Sequence, residues 1–404
     1  MKKAIFILVI TIIVNAESKG QIPADNDDLI KVDVTKNYPK KELILQDFMD
    51  VEYIPLETND DFVNQGWVQD VGEKFIVVIN INRDGDIFVY DRKGKALRKI
   101  NRKGYGGEEY TDIIRITLDE DNGEMFVSDP FKGIILVYDL NGKFKRSFKQ
   151  RTSSDMKFFS DISNYDKDHL ICFDRLSKDT PFVLLSKQNG SITKEIKIPF
   201  KKKILLEHTL KEKGTKNTTT NPRGGSSVTG TVSSQSVTPG PYRTMANFNN
   251  NWILIENSSD TIYSFSTNYS LRPFILRTPP IQSMNPGVFL MLSFFSDRYY
   301  FMHTVTNVYD WNKREGFPET NLMYDNQGKN FFEYTVYNGN YSTQKEIHMN
   351  RFGGHQENQY WQSFEAYQLV EDYKKGILKG KLKEVVSKLD EDDNRVIMLV
   401  KNKK

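Results

Sequence analysis

Cationic and aromatic side chains recur at the junctions between β-patterned runs of this 404-residue chain. Arg102, Lys103, Tyr105, Glu109 and Tyr110 share one junction, and Arg151 lies in the next. Arg243, Arg351 and His355 follow at later ones. Cations beside aromatic rings suit an anionic ligand, a glycan or a protein loop. Glu109 and Tyr110 also have a plainer use, which is to brace their own loop. The five histidines are scattered, with no His-Glu-x-x-His or paired-ligand spacing, so a zinc site is not expected. The chain has neither a G-x-S-x-G nucleophile elbow nor a phosphate-cradling G-x-x-x-x-G-K-[ST] loop. DEDNGE at 119–124 and NRDGD at 82–86 faintly resemble calcium loops, but each lacks the full ligand set. Between strands, Asp, Asn and Gly are turn residues first. The expectation is no catalytic residue, no metal and no cofactor.

Scattered junctions can act together only if the scaffold gathers them, and the scaffold is written as a repeat. Residues 88–95 read FVYDRKGK, 136–143 read LVYDLNGK, and 184–191 read LLSKQNGS. Gly94, Gly142 and Gly190 are spaced by 48 residues each time. Each copy is an alternating strand, a polar turn and a second strand. Asp or Asn closes such a turn, and Gly supplies the positive φ of a bulged hairpin. One hairpin alone is marginal in water. Four short strands per repeat, stacked radially, bury one another's faces. YSFSTNYS at 263–270 continues the series with Tyr269 at the glycine position, and LMYDNQGK at 322–329 is a fifth copy. The interval from Gly190 to Tyr269 is 79 residues, and the excess lies in 214–241, a stretch of mostly Thr, Ser, Gly, Asn and Pro. Such a stretch buries too little apolar surface to fold and is expected to be disordered.

The fold expected is therefore all-β, a six-bladed β-propeller. Its blades are read at about 67–101, 110–150, 158–200, 242–277, 288–336 and 345–401, the last joined by 51–57. VEYIPL at 51–56 is a lone alternating strand before the first repeat, placed as the fourth strand of the last blade. Joining both ends in one sheet removes the open edge. Residues 364–389 break the β pattern, with apolar residues mostly three or four apart. They predict an amphipathic helical insertion interrupted near Gly376 or Gly380, serving as a cap or as a partner dock.

Charge is nearly balanced, at +3, which argues against a nucleic-acid footprint. Residues 1–18 carry Met-Lys-Lys, an apolar run and small residues, the pattern of a signal peptide, followed by an extension over 19–50. The run is too short to span a bilayer. The mature chain is expected in the periplasm or outside the cell with no stable membrane span. Cys172 stands alone in an apolar strand and reads as core.

Four phrases carry a resemblance. VEYIPLET (51–58), RKGYGGEEY (102–110), SDTIY (259–263) and LDEDDNRVIMLVK (389–401) occur in that order. They resemble the opening strand, the first inter-blade loop, a fourth-blade strand and the closing strand of a six-bladed β-propeller family of exported Bacteroidota proteins. That family is distantly similar to NHL-repeat propellers. Gly107 and Glu108 stand where the family usually has Pro and Gly, and its frequent lipoprotein cysteine is absent. The resemblance brings no catalytic residues. The function expected is non-catalytic binding of a protein or glycan at the cell envelope, at the mouth formed by the inter-blade loops. The alternatives are a polysaccharide- or peptide-acting lyase or hydrolase at the same mouth, and a structural part of an envelope assembly docked through the C-terminal helix.

Overall fold

The repeated strand–turn–strand phrase forms the outer half of a blade. In the first blade it pairs Asp86–Asp91 with Ala96–Asn101. The Asp91 carboxylate accepts the backbone N–H groups of Lys93 and Lys95 at 2.8 and 2.9 Å, and Gly94 takes φ +83°. The second blade repeats this with Asp139 accepting from Asn141 and Lys143, and with Gly142 at φ +82°. A register shift follows each turn, between Val89 and Tyr90 and between Val137 and Tyr138, so each hairpin carries a bulge. In the fourth blade Tyr269 holds the glycine position at φ +64°. In the fifth, the positive φ falls on Lys329.

The structure, a computed structural model, describes residues 29–150, 152, 158–220, 226–240, 242–356 and 359–403. Six sheets stand around one axis, as the repeat predicts. Blade 1 runs Trp67–Val71, Phe75–Ile79, Asp86–Asp91, Ala96–Asn101, from the channel outward. Blade 2 runs Arg115–Asp119, Glu124–Asp129, Ile134–Asp139, Phe144–Lys149. Blade 3 runs Asp161–Asn164, His169–Phe173, Phe182–Ser186, Ile192–Ile196. Blade 4 runs Met245–Phe248, Asn251–Leu254, Thr261–Phe265, Leu271–Thr278. Blade 5 runs Val288–Phe295, Tyr299–Thr306, Glu319–Asp325, Asn330–Tyr337. The core lies between neighbouring sheets, where apolar residues of successive blades interlock.

The last blade differs in detail from the expectation. It has three strands, Tyr360–Phe364, Val396–Asn402 and Met49–Pro55, in that order. The N-terminal strand is thus third and outermost. The pairing with the C-terminal strand is antiparallel, from Val396↔Pro55 to Asn402↔Met49. Upstream, Ile30–Asp33 pairs parallel with the outer strand of blade 4, and Lys40–Ile44 with that of blade 5. Each covers an edge that would otherwise stay open. The low-complexity stretch, expected to lack a fold, is drawn into a ribbon of His208–Thr220 and Ser226–Val237. Those two strands pair only with each other. The leader read at 1–18 lies outside the described residues. Among the described residues no helix is long and apolar enough to cross a membrane.

Two helices, Ala366–Lys374 and Gly380–Val386, fill the insertion in the last blade, with Gly376 between them at φ +72°. Their apolar residues Leu369, Val370, Leu382 and Val386 are buried with Val51, Tyr53 and Met398. That stripe is committed to the propeller and is not a free docking face. Burial against the ring removes most of the stripe's apolar surface from water, while Tyr367 and Tyr373 of the first helix stay exposed.

The Gly94 turn packs against the N-terminal strand Met49–Pro55. A Cβ there would stand 2.0 Å from the Pro55 carbonyl oxygen, whereas at Gly123 (φ +62°) nothing lies within 4 Å. Gly123→Ala should cost about 1 kcal/mol, the left-handed backbone penalty alone. Gly94→Ala should cost about 3 kcal/mol or more, because backbone must shift as well. Urea unfolding of both variants checks this, and equal losses would contradict the packing.

Candidate functional site

The inner strands begin at Trp67, Arg115, Asp161, Met245, Val288 and Tyr360, and so converge on the axis. Around it lies a cavity of about 970 Å³. Its wall comes from the inner strands of blades 1, 2, 3, 5 and 6, from Tyr242 and Arg243 leading into blade 4, and from the segment entering blade 6. That segment crosses the ring as a strap. Gly353 bridges Trp361, and the His355 carbonyl accepts the Asn247 N–H at 2.8 Å.

A charged knot holds the strap. The Asp161 carboxylate faces Arg115 Nη2 and His355 Nε2, each at 3.2 Å, and accepts the Thr244 hydroxyl at 2.8 Å. His355 Nδ1 lies 3.0 Å from the Met245 carbonyl oxygen. Both ring nitrogens thus face acceptors. Burial pushes the Asp161 carboxyl up, but Arg115 and His355 outweigh it and hold it well below the usual carboxylate range. Asp70 lies on the same wall, hemmed in by protein yet partly open to the cavity. Burial pushes its carboxyl up to about 6, against the Leu118 N–H at 2.9 Å and the charge of His355. His303, with Nδ1 3.3 Å from the Ser293 hydroxyl, is brought down to about 4 by burial.

Of the residues expected at the mouth, Arg243, Arg351 and His355 line this cavity. Arg102, Lys103, Tyr105, Glu109 and Tyr110 do not; their loop braces blades 1 and 2. The Tyr110 hydroxyl donates to the Gly85 carbonyl at 2.7 Å and accepts the Arg102 N–H at 2.9 Å. Glu109 accepts the Gly106 N–H, Lys103 donates to the Arg83 carbonyl, and Arg102 Nε donates to the Gly142 carbonyl. Tyr105 is 94% exposed. Arg151 lies outside the described residues. The loop's length carries its tip outward from the axis, and its polar groups are used in holding it there.

Sequence reasoning passed over Trp67, Asp70, Arg115, Asp161, Thr244 and His303. A signal for some of them existed. Trp67 and Arg115 are 48 residues apart and Asp161 follows at 46, so the period that located the turns also counts off the inner strands. The DEDNGE and NRDGD segments are turns. Asp119 accepts from Asn122 and pairs with Lys187 at 2.6 Å, and Asn82 accepts the Asp84 N–H.

A closed ring of six blades around a polar channel defines the class, a six-bladed β-propeller. Within it, the chain belongs to the family described as domain of unknown function DUF4934, whose profile matches residues 29–276. A solved Bacteroides fragilis protein described as exported is similar over 93% of this chain and 99% of its own, with 15% identity and a TM-score of 0.58. A Bacteroides vulgatus member of the DUF4221 family aligns over 88% and 97%, with 10% identity and a TM-score of 0.44. At 15% identity the likeness to the Bacteroides fragilis protein is one of fold. None of the curated proteins matches the chain.

The two shifted groups of the cavity act on stability with opposite signs. The folded state keeps the Asp70 proton up to about pH 6, against an ordinary 3.8, so this group lowers stability as pH rises between those values. His303 stays unprotonated down to about pH 4, against an ordinary 6.5, so it raises stability as pH rises across that range. Asp161 acts only below its ordinary 3.8. Asp70→Asn should therefore tilt the profile upward between pH 4.5 and 6.5, and His303→Gln should tilt it downward. Urea midpoints across that range give both slopes; a slope unchanged in either variant would contradict the assignment.

Proposed function

We propose that this protein is an exported propeller that binds a glycan in its central channel without transforming it. The observation that carries the reading is the cavity itself, with an indole on its wall. Trp67 is 41% exposed and lines the wall beside Gln69, Asn321, Asn350 and Gln362. A flat aromatic face with side-chain amides suits the apolar face and hydroxyl rim of a sugar ring. The volume lies in the range of small-ligand sites, large enough for a short oligosaccharide. Export is supported by the leader read at 1–18. The exported Bacteroides fragilis protein of like fold agrees with it.

A specific observation favours a second reading, an enzyme acting on the same polymer. Asp70 combines an elevated carboxyl with access to the cavity and stands among Arg115 and His355, the setting of a general acid.

Glycan-array screening followed by calorimetry tests the first reading. At least one oligosaccharide should bind, and Trp67→Ala should weaken it about tenfold or more without lowering the unfolding temperature. Absence of any bound glycan at millimolar concentration would end it. Turnover of the bound sugar, lost in Asp70→Asn with binding retained, would replace binding with catalysis.

A further inference from the structure

The buried cations of this propeller obey a rule with one exception. Among the described residues three cationic side chains are buried: Lys187, Arg277 and Arg243. Lys187 meets Asp119 at 2.6 Å, and Arg277 meets Asp260 at 3.4 Å. Arg243, 9% exposed and on the cavity wall, has no carboxylate within ion-pair distance among the described residues. Its Nε donates to the Ser293 carbonyl at 2.5 Å and its Nη2 to the Phe352 carbonyl at 3.0 Å, while Nη1 has no partner among the described residues. The Tyr360 ring lies 5.3 Å from the guanidinium carbon. Asp161, the acid whose charge reaches Arg243, is already committed to Arg115, His355 and Thr244. Burying a cation without an anion is costly, and the cost is relieved when an anion arrives.

A second cation stands beside it. Arg351 lines the same wall next to Phe352, whose carbonyl takes the Arg243 proton, and is exposed. Its side chain has no hydrogen bond or ion pair among the described residues. The other acids of the wall contact other groups: Glu319 accepts the Asn350 amide, Glu346 lies 3.6 Å from His348, and Asp70 accepts the N–H groups of Leu118 and Val71. Among the described residues no carboxylate lies within ion-pair distance of Arg243 or Arg351, so the wall presents two guanidinium groups without a carboxylate partner.

We infer that the channel ligand is an acidic glycan whose carboxylate or sulfate is received by Arg243 and Arg351. This deepens the glycan-binding reading and rests on it. A guanidinium is planar and offers paired donors that match an acid group's oxygens, so it discriminates by charge and by shape. The sugar ring lies toward Trp67, and its acid group toward the strap.

Calorimetry with trigalacturonic acid, its trimethyl ester and a sulfated chondroitin tetrasaccharide tests the inference, because the ester keeps the sugar rings and removes the charge. One of the two acidic probes should bind at least tenfold tighter than the ester, with affinity falling steeply between 50 and 500 mM NaCl. The stronger acidic probe identifies carboxylate or sulfate. Arg351→Gln, an exposed change that leaves the fold intact, should weaken the acidic probe about five- to tenfold and leave the ester untouched. Arg243→Lys, which keeps the charge but not the fork, should weaken it further, with the unfolding temperature recorded to confirm folding. If acid and ester bind equally, or if Arg351→Gln binds the acid like wild type, the inference fails while the glycan reading stands. If no oligosaccharide binds, or only an acidic peptide does, the glycan reading falls with it.

Discussion

Antiparallel pairing of Met49–Pro55 with Val396–Asn402 holds the ring shut, and everything at its centre depends on that closure. The two strands come from opposite ends of the chain, Val396 pairing with Pro55 and Asn402 with Met49. Ile397, Met398 and Val400 are fully buried, so the closing strand is core on both faces. An open ring would expose those faces and leave two unpaired sheet edges. It would also release the helices that pack on the same blade, because their apolar residues share one cluster with Val51, Tyr53 and Met398.

Closure turns six local hairpin systems into one rigid wall. The Gly94 turn rests on Pro55, Gly142 on Ile100 and Gly190 on Phe148, so each turn packs on a preceding sheet. Glu120 reaches back to accept the N–H groups of Glu73, Lys74 and Phe75, tying the second blade to the first. Such contacts fix the angle between blades and hence the width of the channel. The loop at 102–110 belongs to this bracing. Its polar groups are occupied in joining blades 1 and 2, which explains why cationic and aromatic residues there stand away from the cavity.

The channel is built by convergence. Asp161 from blade 3, Arg115 from blade 2 and His355 from the strap meet within hydrogen-bond range, though 46 and 194 residues separate them along the chain. Arg243 and Arg351 were legible as cations near inter-blade junctions, and that alone pointed to them. Asp70 and His303 were not, because their inward direction is set by strand alternation and by a bulge between Val68 and Asp70. A one-residue change in that count moves a side chain from the wall to the neighbouring face.

The repeat was legible because it is local chemistry. An Asp that closes a turn and a Gly that takes positive φ act within eight residues, so the same phrase recurs wherever the same hairpin does. From it followed the blade count, the six-bladed ring and the pairing of the two ends, while the helical insertion was legible in the three- and four-residue spacing of apolar residues over 364–389. Tertiary structure decided the rest. The three-stranded last blade and the parallel strands that 30–44 adds to blades 4 and 5 depend on edges left free elsewhere in the fold, and the ribbon of His208–Thr220 and Ser226–Val237 pairs only with itself. The unpaired charge of Arg243 is of the same kind. Whether a cation has a partner is a matter of distance after folding, and no spacing along the chain contains it.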